Sequence, residues 1–192
     1  MDRFIEYVKI DTQSVENSST YPSTEKQLVL SRLLEKQLRA IGSSNVHLTK
    51  HGYVFATLPS NLPKNFKIEV PPIGFIAHVD TSPDVSGAGV KPQIHKNYQG
   101  QKIVLPKDNS QIIEPASDPA LRNCIGHDII TADGTTLLGA DNKAGIAEIM
   151  TACEFFLENP EIFHGDIKIA FTVDEEVGQG TKYFDVKEFG AT

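Results

Sequence analysis

Cysteine is scarce: the chain of 192 residues has two, Cys124 and Cys153. Neither lies in a CxxC spacing, which argues against a sulfur-ligated metal and reads as two buried free thiols of a reducing compartment. No apolar run approaches the ~20 residues that cross a bilayer. The opening Met1-Asp2-Arg3-Phe4-Ile5-Glu6 mixes charge into its first apolar residues, so no export signal is expected and a cytoplasmic location is. Positive charge is also in deficit, 18 Lys and Arg against 25 Asp and Glu, for a net charge of −7. Nucleic-acid and membrane-surface binding, which need clustered cations to meet phosphate, are therefore not expected. GxSxG, HExxH and Walker GKS or GKT signatures are missing. Gly87-Ala88-Gly89 has no strand before it and Pro92 after it, and Tyr183 occupies the third glycine position after Gly178-Gln179-Gly180, so neither makes a nucleotide loop. There is no internal repeat and no low-complexity tract.

What is present is a globular composition, 40% hydrophobic and 22% charged, of a length that suits one domain or one and a part. Phe4, Ile5 and Val8 recur at helical spacing. A stronger helix is expected over residues 24–41, capped by Ser23 or Thr24, striped by Leu28, Leu34, Leu38 and Ile41, and stopped at Gly42. Val46–Leu48 and Tyr53–Thr57 flank a turn at Lys50-His51-Gly52 and read as a hairpin. Ile73–Ala77 is continuously apolar, the pattern of a strand covered on both faces. Residues 83–128 loosen into Gly, Pro, Asn and Ser with brief strand-like pieces at Gln93–His95 and Lys102–Leu105, an irregular excursion at the sheet's edge. A turn at Ala132-Asp133-Gly134 precedes a helix over residues 143–157 with Ile146, Ile149, Met150, Cys153 and Phe156 on one side, ended by Asn159-Pro160. A second apolar strand, Asp166–Val173, follows. Strands alternating with helices predict an α/β fold with a mostly parallel twisted sheet flanked by helices.

Open α/β sheets bind ligands beyond the carboxyl ends of their strands. Three polar groups lie at such places. His78-Val79-Asp80 follows the first apolar strand, and alternate residues of an extended segment face the same way, so His78 and Asp80 can converge. Asp80 could take the second imidazole nitrogen of a metal-bound His78 or lie beside the metal itself. Asp141 stands just before a helix with small residues around it, where the helix dipole favours a carboxylate whose two oxygens could bridge cations. Asp174-Glu175-Glu176 ends the second strand, and crowding three like charges costs energy unless cations are near. Each has a plain structural reading too: a hydrogen-bonded strand-end histidine, a helix N-cap, a solvated acidic loop. Their coincidence at one sheet edge favours metal. His47, His51, His95, His127 and His164 lack acidic strand-end partners and read as surface or structural residues.

Residues 75–83, FIAHVDTSP, 137–145, LLGADNKAG, and 171–178, FTVDEEVG, occur in the order and form found in the tripeptide aminopeptidases of the co-catalytic zinc exopeptidase family, which the chain resembles over its whole length. Phe4–Val8, Asp11–Ser14 and Ala144–Met150 are similar as well. The resemblance implies a catalytic α/β domain interrupted by a smaller lid or dimerisation domain, and two zinc ions in a complete site. It implies that His78 binds one metal with Asp80 steering its imidazole, that Asp141 bridges both, that Glu176 binds the metal opposite His78, and that Glu175 is the general base. It also implies a cis Asp141–Asn142 peptide; Asn142 stands where an acid is often found, at a position that is not a ligand. The reaction implied is metal-assisted amide hydrolysis on a short peptide, with Glu175 taking the proton of the attacking water.

The family needs two further ligands, an Asp and a later His, and beyond Glu176 the chain offers Asp185 and Glu188 with no histidine. Residues 1–192 are therefore expected to be the N-terminal part of a catalytic domain with its site unfinished, without the lid, so that activity belongs to a longer parent protein. A dipeptidase or an amidohydrolase acting on acylated amino acids, and a non-catalytic binding module, remain open alternatives.

Overall fold

A computed structural model describes residues 1–191. Helix α1 (Asp2–Val8) and helix α2 (Gln27–Ala40) are followed by strands β1 (Ser44–Leu48), β2 (Val54–Leu58) and β3 (Ile73–His78). Short strands β4 (Gln93–His95), β5 (Ile103–Leu105) and β6 (Asp108–Ile113), helix α3 (Pro119–Arg122) and strand β7 (Ile129–Thr131) come next. Helix α4 (Ala140–Glu158), strand β8 (Ile167–Thr172) and helix α5 (Val186–Phe189) complete the order.

Four strands form the main sheet in the order β1-β2-β8-β3. The pairing of β3 with β8 is parallel, in a register that sets His78 beside Thr172, whereas β1 with β2 and β2 with β8 are antiparallel. The α/β class stands, and the sheet is mixed rather than mostly parallel, because the β1–β2 hairpin inserts its second strand against β8. Leu30, Leu34 and Leu38 of α2 and Ile146, Met150 and Cys153 of α4 converge with Phe171 and Ile169 of β8 in one core. Fully burying one such leucine contributes about 1.5–3 kcal/mol, so the α2 stripe alone fastens the helix to the hairpin. Successive residues of β3 face opposite ways: Gly74 lies against Phe189 of α5, while Phe75 lines a groove with Ile149 and Cys153 of α4.

Several expectations are corrected. Strand β3 is the sheet's edge and is not covered on both faces: Ile73, Phe75 and Ile76 are each about half exposed, at 49%, 47% and 52%. An apolar run therefore marked the strand but not its cover. Helix α2 begins at Gln27 after Lys26, with no side-chain cap, because Ser23 and Thr24 bond elsewhere, to Asp174 and to the Gln13 carbonyl. Its inward stripe runs through Gln27, Leu30, Leu34 and Leu38, with Leu28 and Ile41 only partly buried. The stretch 83–128 is more ordered than an irregular excursion: β4 pairs with β7, β5 with β6, and Tyr98, Ile103 and Leu121 make a small core of their own. Among the described residues no helix is long and apolar enough to cross a membrane.

Candidate metal centre

Parallel pairing of β3 and β8 places their carboxyl ends side by side, and the Val79 amide still bonds the Thr172 carbonyl at 2.8 Å, so the two chains leave the sheet together. His78 and Asp80 leave from one strand, and Asp174, Glu175 and Glu176 from the other. The third arm comes from the start of α4. Gly139 takes a left-handed φ of +79°, and Asp141 and Asn142 are non-helical with a cis peptide between them, so regular helix starts at Lys143. Asp141 thus projects over the strand ends rather than along the helix.

These arms bring together one nitrogen and two carboxylate donors. One ligand atom each from His78, Asp141 and Glu176 lie within 4.8 Å of one another. His78 Nε2 is 2.9 Å from Asp141 Oδ1 and 3.7 Å from a Glu175 oxygen. The other ring nitrogen, Nδ1, is 3.0 Å from the backbone carbonyl of Asp80 and 3.4 Å from its carboxylate. A proton on Nδ1 donated to that carbonyl leaves the Nε2 lone pair free for an ion. Asp80, fully buried, uses its two oxygens differently: one accepts the Glu175 amide and the other the Glu176 amide, each at 3.1 Å. It therefore touches both the histidine and the backbone that carries the two glutamates.

The electrostatics fit a cation. Among the described residues, the ion pairs reaching Asp141 and Glu175 come from His78 alone. Burial pushes the His78 imidazole down, but the hydrogen bond and charge of Asp80, then Asp141 and Glu175, outweigh it and raise the group to about 9. Glu176 is held above the usual carboxylate range by burial, reinforced by the charges of Asp141, Asp80 and Glu175 and opposed by His78. In the absence of an ion, protons are held where positive charge is wanted. The donor set, one imidazole and carboxylates, is of the kind zinc accepts.

Asp174 is not part of this donor group. It is 1% exposed and accepts bonds from the Ser23 amide, the Ser23 hydroxyl and the Gln27 side chain. Beside it, a polar cleft of about 470 Å³ opens along Tyr21, Ser23, Glu176, Gln179 and Lys182. Sequence reasoning missed Ser23, Gln27 and Lys143. Gln27 had a signal in retrospect, since it falls three and seven residues before Leu30 and Leu34 on the buried face. Lys143, 1% exposed with its ammonium 2.7 Å from the Ile10 carbonyl, had none. Of the remaining histidines, His47 pairs at the surface with Glu188 of α5 at 2.8 Å.

No protein-family model matches the chain. Over its full length it is 58% identical to peptidase T of Halothermothrix orenii and 55% identical to peptidase T of Clostridium acetobutylicum, covering 46% of each. The chain thus spans about half the length of the curated relatives it matches. Among solved structures it superposes on aminopeptidase PepT of Bacillus cereus with a TM-score of 0.65 at 27% identity, over 99% of this chain and 40% of that one. A tripeptidase of Staphylococcus aureus gives a TM-score of 0.62 at 23% identity, over 98% and 39%, and shares the fold.

Proposed function

We propose that this chain, a relative of peptidase T along its whole length, carries the metal-binding part of a cytoplasmic zinc aminopeptidase that releases the N-terminal residue from tripeptides. The observation that supports it most is the convergence of His78, Asp141 and Glu176 from separate segments, with Glu175 beside them. In this reading His78, Glu176 and Asp141 would hold zinc, with the Asp141 carboxylate shared between two ions. Bound there, zinc supplies Lewis acidity toward the scissile carbonyl and acidifies water.

The protein's own groups do the rest. Glu175, more than half exposed, is free of the amide contacts that hold its backbone and can reach a water to accept its proton. The same carboxyl returns that proton to the departing amine, which requires approach to ~3 Å or through one water. Adjacent Glu175 and Glu176 divide proton transfer and metal binding because neighbouring side chains point different ways from one fixed turn. Asp80 keeps the turn fixed and offers its carbonyl to His78 Nδ1. The cleft along Tyr21, Ser23 and Gln179 adjoins Glu176 and gives a short peptide room to lie.

The test is zinc content and release of the N-terminal residue from a tripeptide, measured on the protein at the length of its curated relatives. Glu175→Gln should retain zinc and lose turnover by ~100-fold or more, the range of a general base. Turnover that survives the change removes Glu175 from the role. Preference for dipeptides or acylated amino acids over tripeptides would reassign the substrate.

A further inference from the structure

We infer that Asp174 is a positioning residue that, with Ser23 and Gln27, sets the aim of Glu175 and Glu176; the inference rests on the peptidase reading above. The chain leaves β8 through Val173, fully buried, and turns at Asp174 with a φ of +57°. Few residues with a Cβ enter that left-handed region, and Asp does so where its short polar side chain is hydrogen-bonded. The Ser23 amide and the Gln27 side-chain nitrogen bond its carboxylate at 2.6 Å each, and the Ser23 hydroxyl at 2.5 Å. Gln27 also takes the Asp174 amide on its own oxygen at 3.0 Å, a two-point exchange between the first residue of α2 and the turn.

Asp80 grips the next two amides from the other side. The Gln27 side-chain oxygen and the buried Asp80 carboxylate therefore hold three consecutive backbone amides, and the buried Asp174 carboxylate adds its own bonds to Ser23 and Gln27. The side chains of Glu175 and Glu176 are left to point outward, half-exposed and partly buried respectively, toward His78 and Asp141. The first clamp point fastens the turn to α2, which the leucine stripe anchors in the core. Since Ser23 and Asp174 also wall the cleft beside Glu176, the segment that shapes the cleft and the segment that aims the glutamates share the same bonds.

Three donors meet the Asp174 carboxylate, two on Oδ1 and one on Oδ2. Asp174→Asn keeps the shape but must turn an NH2 toward at least one of them, since an amide has a single acceptor oxygen. In the protein at the length of its relatives, Asp174→Asn is expected to weaken zinc binding and lower kcat by ~10–100-fold, the usual cost of losing a partner behind a metal site, with KM changed far less. In the metal-free protein, hydrogen-exchange protection of the Glu175 and Glu176 amides should fall by about tenfold while β2 and β8 keep theirs, a local opening. Adding Gln27→Glu supplies an acceptor for the introduced NH2 and should restore both protection and zinc affinity. Zinc affinity and kcat within about twofold of the parent, or protection lost equally across β8 and α2, would overturn the inference. If the unsubstituted protein shows no zinc-dependent hydrolysis, the peptidase reading fails, and the exchange measurement still decides whether Asp174 holds the turn.

Discussion

His78 in the metal-free protein should titrate near pH 9, far above an ordinary imidazole at 6.5. Burial works against this, and the Asp80 hydrogen bond and charge, with Asp141 at 2.9 Å and Glu175 at 3.7 Å, overcome it. Because the folded value lies above the unfolded one, the contribution to stability is complete below about pH 6.5 and is lost as the pH rises through 9. Its size is about 3 kcal/mol, and it should appear as a decline in metal-free stability across that window. The same proton competes with zinc. At about pH 7.5 most imidazoles would be protonated, so zinc binding should release about one proton and be weakened roughly 30-fold relative to a neutral imidazole. A ring-carbon or ring-nitrogen NMR titration of the metal-free protein reads the midpoint directly, and calorimetry in buffers of different ionisation enthalpy reads the proton release. Asp80→Asn removes the largest raising influence and should move the midpoint down toward the ordinary value. A midpoint at or below 6.5 in the unsubstituted protein would refute the picture of His78 held by surrounding carboxylates.

Burial lowers the Lys143 ammonium to about 8, so between there and 10.5 the unfolded chain binds more protons and stability should rise with pH, by about 3 kcal/mol. Urea unfolding of Lys143→Met beside the parent should show that rise missing from the variant; a difference that is flat with pH would contradict it. A Cβ added at Gly74 would lie 2.5 Å from Phe189 and 2.7 Å from Ala191, so Gly74→Ala should cost ~1–3 kcal/mol by displacing α5. Thermal melting should then drop by several degrees, and a Tm within one degree or so of the parent would place α5 elsewhere.

The sequence made β3, β8 and the long helix legible because each carries several consecutive or periodic apolar residues, buried in β8 and along one side of α4. It also exposed the acids and the histidine at their ends, since charge directly after an apolar strand is hard to explain by packing. The exposure of β3 was not legible, as an apolar run does not tell whether a neighbour covers it. Strand β6, with the sequence Asp108-Asn109-Ser110-Gln111-Ile112-Ile113, reads as loop, because its pairing with β5 and not its own side chains makes it a strand. The roles of Asp80 and Asp174 toward the glutamate backbone were hidden for a related reason. They depend on contacts across 95 residues for Asp80 with Glu175 and 147 for Gln27 with Asp174, beyond any local pattern. Lys143 was hidden because lysine beside a helix start ordinarily faces water.

The most direct measurement of the metal assignment is an anomalous difference map at the zinc absorption edge from crystals of the zinc-loaded protein. The expected result is density ~2.0–2.2 Å from His78 Nε2 and from carboxylate oxygens of Asp141 or Glu176, with Glu175 outside the ligand set. Zinc held elsewhere, for example between His47 and Glu188, or no density near His78, would contradict the assignment.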